Sequence, residues 1–306
     1  MFIVLFIVAV AAVLIAAGFL YQVIGSHRDR RRFSAPGRCI EIGSGHRLYM
    51  LEKGAGGLGW SGPSSTARTP GNCASELHDL LERANIKPPY ILVGHSFGGL
   101  IMRRYALSYP EDVAGLVLVD PMRCEEWPPL DPGKQSQIDR GKKLSTHAVP
   151  IARFGLARLA VTSLLCRSGR ISGQLAGAAG KGGRHVLGRV TEEVGKMPRE
   201  VWPIVAAHWS RPSYYVGMRN HVTAVPDTVR EMQDAEPIRD IPILLLTPGK
   251  STPLSDFLVS RIGDNVQQVI AQESAHWIHL DEPDLVIDSI REMVLAVAAE
   301  PVAASV

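Results

Sequence analysis

The sequence predicts an α/β fold: a mostly parallel sheet with helices on both faces, a helical insertion over it, and an N-terminal transmembrane helix. Three observations predict this. Short continuous apolar runs alternate with stretches of helical spacing over residues 72–120 and 241–300, the order expected of a parallel sheet built from strand–helix units. Residues 121–240, between those blocks, carry helix-like pieces and no clear strand. The first twenty residues carry no charge.

The N-terminal run "MFIVLFIVAVAAVLIAAGFL" is long enough to cross a hydrocarbon core of ~30 Å. A cleaved signal peptide is the alternative, with "AAG" at 16–18 as the cleavage candidate, but no Lys or Arg precedes the apolar run as such a leader requires. A retained single-pass anchor fits better. Directly after it, "SHRDRRRF" carries Arg28, Arg30, Arg31 and Arg32. The positive-inside bias places that flank, and with it the globular part, on the cytoplasmic side. These arginines also suit anionic lipid headgroups, though a plain stop-transfer flank explains them better.

The remaining elements follow in order. "RCIEI" and "HRLYMLE", separated by "GSG", read as a β-hairpin. "NCASELHDLLERANI" (72–86) has helical spacing and ends before Pro88, because proline cannot continue a helix. "YILV" (90–93) reads as a strand buried on both faces, followed by a helix ending at Pro110. "VAGLVLVD" (113–120), "IPILLLTPG" (241–249) and "VQQVIAQ" (266–272) are further strands. "EPDLVIDSIREMVLAVAAE" (282–300) closes the chain as an amphipathic helix. Within the insertion, "IARFGLARLAVTSLLC" (151–166) and "TEEVGKMPREVWPIVAAHW" (191–209) are helix-like, and "SGQLAGAAGKGG" (172–183) reads as a mobile Gly/Ala tract.

Composition excludes some functions. A net charge of +3 over 306 residues gives no basic excess for nucleic acid. The cysteines Cys39, Cys73, Cys124 and Cys166 form no CxxC pair and no zinc-spaced cluster. Buried free thiols explain them better than disulfides. Nothing implies a cofactor or a metal.

The chemistry concentrates at "GHSFGG", which has the form Gly94-x-Ser96-x-Gly98 between a strand and a helix. That context suits a nucleophile elbow: a serine on a sharp strained turn, with small neighbours so that the strand and helix backbones approach closely. The helix N-terminus beneath favours developing negative charge, and the backbone N–H of Phe97 suits an oxyanion donor. A serine needs a base. "ESAHWIHLDEPDLV" supplies His276 and His279 after the last strand, and His276 stands nearer that strand's end. His279 fits a place near the helix start, with Asp281 as local partner or cap. The acid that orients the imidazole is Asp120, at the end of "GLVLV", or Asp256, in "TPGKSTPLSDF". Asp120 fits better; Asp256 also suits a cap for a helix starting at Phe257, and Asp120 also suits a buried aspartate satisfying turn amides before Pro121.

These motifs resemble the α/β-hydrolase superfamily. Within it, "DRRRFSAPGR", "GWSGPSSTARTPGNCASELHDLLERANIKPPYILVGHSFGG", "VAGLVLVDP" and "SAHWIHLDEPDLVIDSI" are similar to bacterial membrane-anchored α/β hydrolases. The resemblance covers most of the chain and is weakest in the insertion. It implies the α/β-hydrolase fold with a helical cap, and a serine hydrolase of ester or related acyl bonds. On it, the chain divides into an anchor (1–25), an N-terminal part of the hydrolase domain (26–120), a cap (121–240) and a C-terminal part (241–306). A small-molecule acyl substrate and a membrane are the expected partners.

The stretch "LEKGAGGLGWSGPS" (51–64) departs from the family pattern. In that pattern two more strands, with a Gly-rich oxyanion loop, stand between the first hairpin and the elbow strand; roughly forty residues of it are missing here. Either the segment is deleted near Gly57, or "RLYMLEK" moves into the vacant place and "GAGGLG" acts as the loop. Deletion fits better, because "GWS" matches the later segment and "LEKG" the earlier one. Hydrolase chemistry is therefore encoded, and its competence depends on the seam. A non-catalytic protein keeping the remains of the fold is the competing reading. A membrane scaffold built on the anchor alone has no further support in the sequence.

Overall fold

The computed structural model describes residues 2–33, 38–43, 46–51, 54–55, 61–62, 64–124, 132–166, 192–251 and 254–299. The Gly/Ala tract 172–183 and most of the seam, including Gly57, lie outside the described residues. The chain divides into two compact units: Met1–Pro63 with Ser136–Thr223, and Ser64–Gln135 with Ala224–Val306.

In the first unit, α1 (Phe2–Arg32) is one continuous helix and is long and apolar enough to span a membrane. It is followed by β1 (Arg38–Gly43), β2 (His46–Leu51) and the short β3 (Gly54–Ala55), which pair antiparallel in the order β1-β2-β3. β1 and β2 form the hairpin expected from "RCIEI" and "HRLYMLE".

From the insertion come α4 (Pro132–Arg153), α5 (Leu156–Cys166) and α6 (Trp202–Trp209), with a further long helix given below. Two stretches expected as single helical pieces are each broken. Residues 151–166 break between α4 and α5, where Gly155 has φ +78°, a left-handed conformation that a side chain would resist. A Cβ there would also lie 2.6 Å from the carbonyl oxygen of Gly18. Residues 191–209 break at Pro198, after which a turn of 3₁₀ helix leads into α6.

The second unit holds α2 (Pro70–Ala84), β4 (Tyr90–His95), α3 (Phe97–Ser108), β5 (Val113–Val119), β6 (Ile243–Pro248), α8 (Asp256–Ser260), β7 (Val266–Ala271), α9 (Ile278–Asp281) and α10 (Pro283–Ala299). A long helix, α7 (Pro212–Met232), runs from one unit into the other. α2 starts with Thr69 as N-cap, its side chain accepting from the Asn72 N–H, and stops at Asn85 in the left-handed conformation.

The sheet of this unit is parallel throughout, in the order β4-β5-β6-β7. Side chains alternate across a strand, and the core divides accordingly. Leu116 and Leu118 of β5 join Ile243 and Leu245 of β6 on one face, packed with Tyr105 and Ala106 of α3. Val117 and Val119 join Leu244 and Leu246 on the other, packed with Val286 and Met293 of α10. Both faces are covered, which is why these strands read as continuous apolar runs. Among the described residues, β4 pairs with β5 alone and so stands at the sheet edge, with Val93 41% exposed. β2, the strand containing "RLYML", belongs to the other sheet.

Candidate active site

β4 and β5 run side by side with His95 opposite Val119, so Ser96 and Asp120 each follow the C-terminal end of adjacent strands. In open α/β sheets this is where ligands collect. The Ser96 N–H donates to the Val119 carbonyl at 3.1 Å, and the Asp120 N–H to the Leu246 carbonyl at 2.8 Å. Both residues have positive φ, +53° at Ser96 and +38° at Asp120. For residues with a Cβ such backbone costs about 1–3 kcal/mol and persists only where the surroundings enforce it.

Ser96 is the N-cap of α3. A serine there ordinarily spends its hydroxyl on a helix N–H. Here its side chain makes no capping bond, which keeps Oγ available for chemistry. The sharp turn explains the preceding glycine: a Cβ on Gly94 would lie 2.5 Å from the Gly98 carbonyl oxygen. The next glycine differs from the expectation, since a Cβ on Gly98 would meet nothing within 4 Å. Gly99 is the second tight position, 2.7 Å from Pro121 Cβ. Phe97 opens α3, so its N–H belongs to the helix N-terminus.

His276 stands in the turn between β7 and α9, with its Nδ1 2.7 Å from Asp120 Oδ2. The carboxylate accepts the Nδ1–H, which leaves Nε2 as the acceptor on a neutral imidazole. The second oxygen, Asp120 Oδ1, faces Arg123 Nη2 at 3.9 Å. The imidazole is half-exposed and the Asp120 side chain largely covered. The turn is held from below: Glu282 Oε1 accepts from the Ser274 hydroxyl at 2.7 Å and from the Glu273 N–H at 3.0 Å.

The other expected residues go elsewhere. Asp256 opens α8 and does not cap it; Ser255 does, its side chain accepting from the Leu258 N–H. His279 lies in α9 with its ring edge-on to His95, centroids 4.6 Å apart. Burial, and then repulsion from His276 when both rings are protonated, hold the His279 imidazole below its ordinary pKa. The charge of Asp281 acts on it in the opposite sense to burial, and Asp281 Oδ2 accepts from the Ala275 N–H at 3.3 Å.

One residue was missed by sequence reasoning. His95 Nε2 donates to the His276 carbonyl at 2.8 Å and its ring lies 4.6 Å from the His276 ring. Burial pushes its pKa down to about 4 against an ordinary value of 6.5, so it holds that carbonyl as a neutral group. The signal was present in "GHSFGG", but the partner lies far along the chain.

The alpha/beta hydrolase fold family matches residues 56–138. Among solved structures, Cfl2 from Burkholderia cenocepacia superposes with a TM-score of 0.55 at 19% identity, covering 76% of this chain and 74% of that one. The chain is an α/β-hydrolase-fold protein. The epoxide hydrolase CorEH is likewise similar in fold, with a TM-score of 0.54 at 15% identity over 78% of this chain and 79% of its own. A curated relative, the uncharacterized protein YqjL of Bacillus subtilis (strain 168), is 43% identical over 65 residues, which are 21% of this chain and 26% of YqjL. The chain spans no more than 26% of the length of the first curated relatives it matches. In this α/β-hydrolase-fold chain Ser96 stands between β4 and α3.

Proposed function

We propose that this chain is a serine hydrolase that cleaves esters or related acyl bonds. Ser96 Oγ attacks the acyl carbonyl while His276 Nε2 takes its proton. Asp120 fixes the imidazole tautomer and stabilises the imidazolium. The Phe97 N–H, at the start of α3, binds the oxyanion. The tetrahedral intermediate collapses to an acyl-Ser96 ester as the leaving group takes the proton back from His276. Water, deprotonated by His276, then releases the acid. The observation that carries this reading is the 2.7 Å contact between His276 Nδ1 and Asp120 Oδ2, beside a positive-φ serine that does not cap its own helix.

The substrate follows from the setting. An apolar cap suits a small or moderately apolar ester. α1 tethers the enzyme to a membrane with the globular part on the cytoplasmic side, and this favours lipid-derived acyl compounds.

A second reading is favoured by the position of β4. Among the described residues the elbow strand has a partner on one side only, and there it lacks the neighbour whose preceding loop supplies the second oxyanion donor in the family pattern. A deletion near Gly57 accounts for that. Losing one donor costs on the order of 10²–10³ in rate, so the chain is then an impaired or non-catalytic relative. A fluorophosphonate probe separates the two. Labelling of the folded wild type and none of Ser96→Ala supports the hydrolase; absence of labelling on folded wild type sinks it.

A further inference from the structure

The break between α4 and α5 is bent by 93° and lies against α1. The elbow tip contacts α1 at Gly18: only a glycine fits there, because a Cβ would lie 2.4 Å from the Phe154 carbonyl oxygen. Around this bend Ile151, Phe154, Leu156 and Leu159 are exposed, at 38–59%. Four large apolar side chains within nine residues form a patch that water disfavours. The face of α1 beside them, from Phe2 to Leu20, is exposed and apolar as well.

The elbow is pinned by a buried polar cluster. Arg158, at 6% exposure, donates from Nε to Gln22 Oε1 at 3.0 Å and from Nη2 to Ser26 Oγ at 3.3 Å, and its Nη1 is 2.7 Å from Asp29 Oδ2. Gln22 Nε2 in turn donates to the Ser210 carbonyl at 3.0 Å. This explains the one acidic residue in an arginine-rich flank. Polar groups on a membrane helix need such internal partners. Next to the cluster, Arg30 and Arg153 line a cleft with Phe19, Val23, Gln22 and Ser26.

We propose that the α4–α5 elbow is a second membrane contact of this chain, inserted beside α1 into the headgroup and upper acyl layer of an anionic bilayer. Depth supports it. Gly18 precedes Arg28 by ten residues, roughly 15 Å of helix. With the arginines at the headgroups, the apolar tip reaches the upper acyl chains. Arg30 and Arg153 then stand at phosphate level. The elbow then holds α4 and α5 to the bilayer beside α1.

The proposal rests on reading α1 as a membrane span, and the experiment tests that separately. The full chain, with its four cysteines replaced by alanine, carries a single cysteine with an environment-sensitive fluorophore at residue 154, 159, 10 or 111. It is reconstituted in phosphatidylcholine–phosphatidylglycerol vesicles containing brominated lipids. Labels at 154 and 159 shift to the blue and are quenched best by shallow bromines; the label at 10 is quenched by deep bromines and the one at 111 by neither. If 154 and 159 behave like 111 while 10 is quenched, the elbow proposal is overturned and the anchor stands. If 10 is not quenched, both fail. Hydroxyl-radical footprinting of the unmodified chain in the same vesicles needs no cysteine replacement. It leaves Phe154 and Leu159 protected and the exposed Leu144 oxidised; oxidation of Phe154 to the extent of Leu144 overturns the proposal.

Discussion

Asp120 and His276 are 156 positions apart, and their 2.7 Å contact is made by the fold alone. If Asp120 orients the catalytic imidazole, Asp120→Asn lowers kcat by about 10⁴-fold by favouring the wrong tautomer. Asp256→Asn, at the start of α8, leaves kcat unchanged; steady-state kinetics on an ester substrate checks both. His95 gives a pH prediction. Its imidazole titrates near 6.5 when unfolded and at about 4 when folded. Between those values the unfolded chain binds a proton that the folded chain does not, so stability is full above pH 6.5 and falls as pH drops towards 4. His279, also lowered by burial, adds a fall of the same sign. Urea unfolding at several pH values shows a shallower fall in His95→Gln, whose amide can still donate to the His276 carbonyl. Ser96 and His276 were singled out from sequence because each sits in a local motif. His95 was not, because its partner is 181 residues away.

At the scale of elements, the elbow depends on one glycine more than on the pattern as a whole. Gly94→Ala forces a Cβ into the backbone of the α3 start and destabilises by about 1–3 kcal/mol or more. Gly98→Ala meets open space and stays within about 0.5 kcal/mol. Urea midpoints of the two variants rank them; equal losses contradict this account of the turn. The strands of the parallel sheet were read from sequence to within two residues, most plainly β5 and β6, where burial on both faces leaves a continuous apolar run; β4, expected to be buried on both faces, has Val93 exposed. The elbow at Phe154–Gly155 was not read. Residues 151–166 carry helical spacing throughout, and what breaks them is a close approach to Gly18, invisible in local periodicity.

For the molecule as a whole, sequence by itself determined an apolar N-terminal helix, a parallel α/β core of the α/β-hydrolase fold and the serine and histidine motifs on it. These are local properties: composition, spacing and turn chemistry act within a few residues of each other. Tertiary structure alone decided which carboxylate stands at His276, that β4 forms one edge of its described sheet, and that Arg158 closes on Gln22, Ser26 and Asp29. Each joins residues from distant parts of the chain. A carboxylate at a strand end and one at a helix start look alike until packing brings one of them to an imidazole.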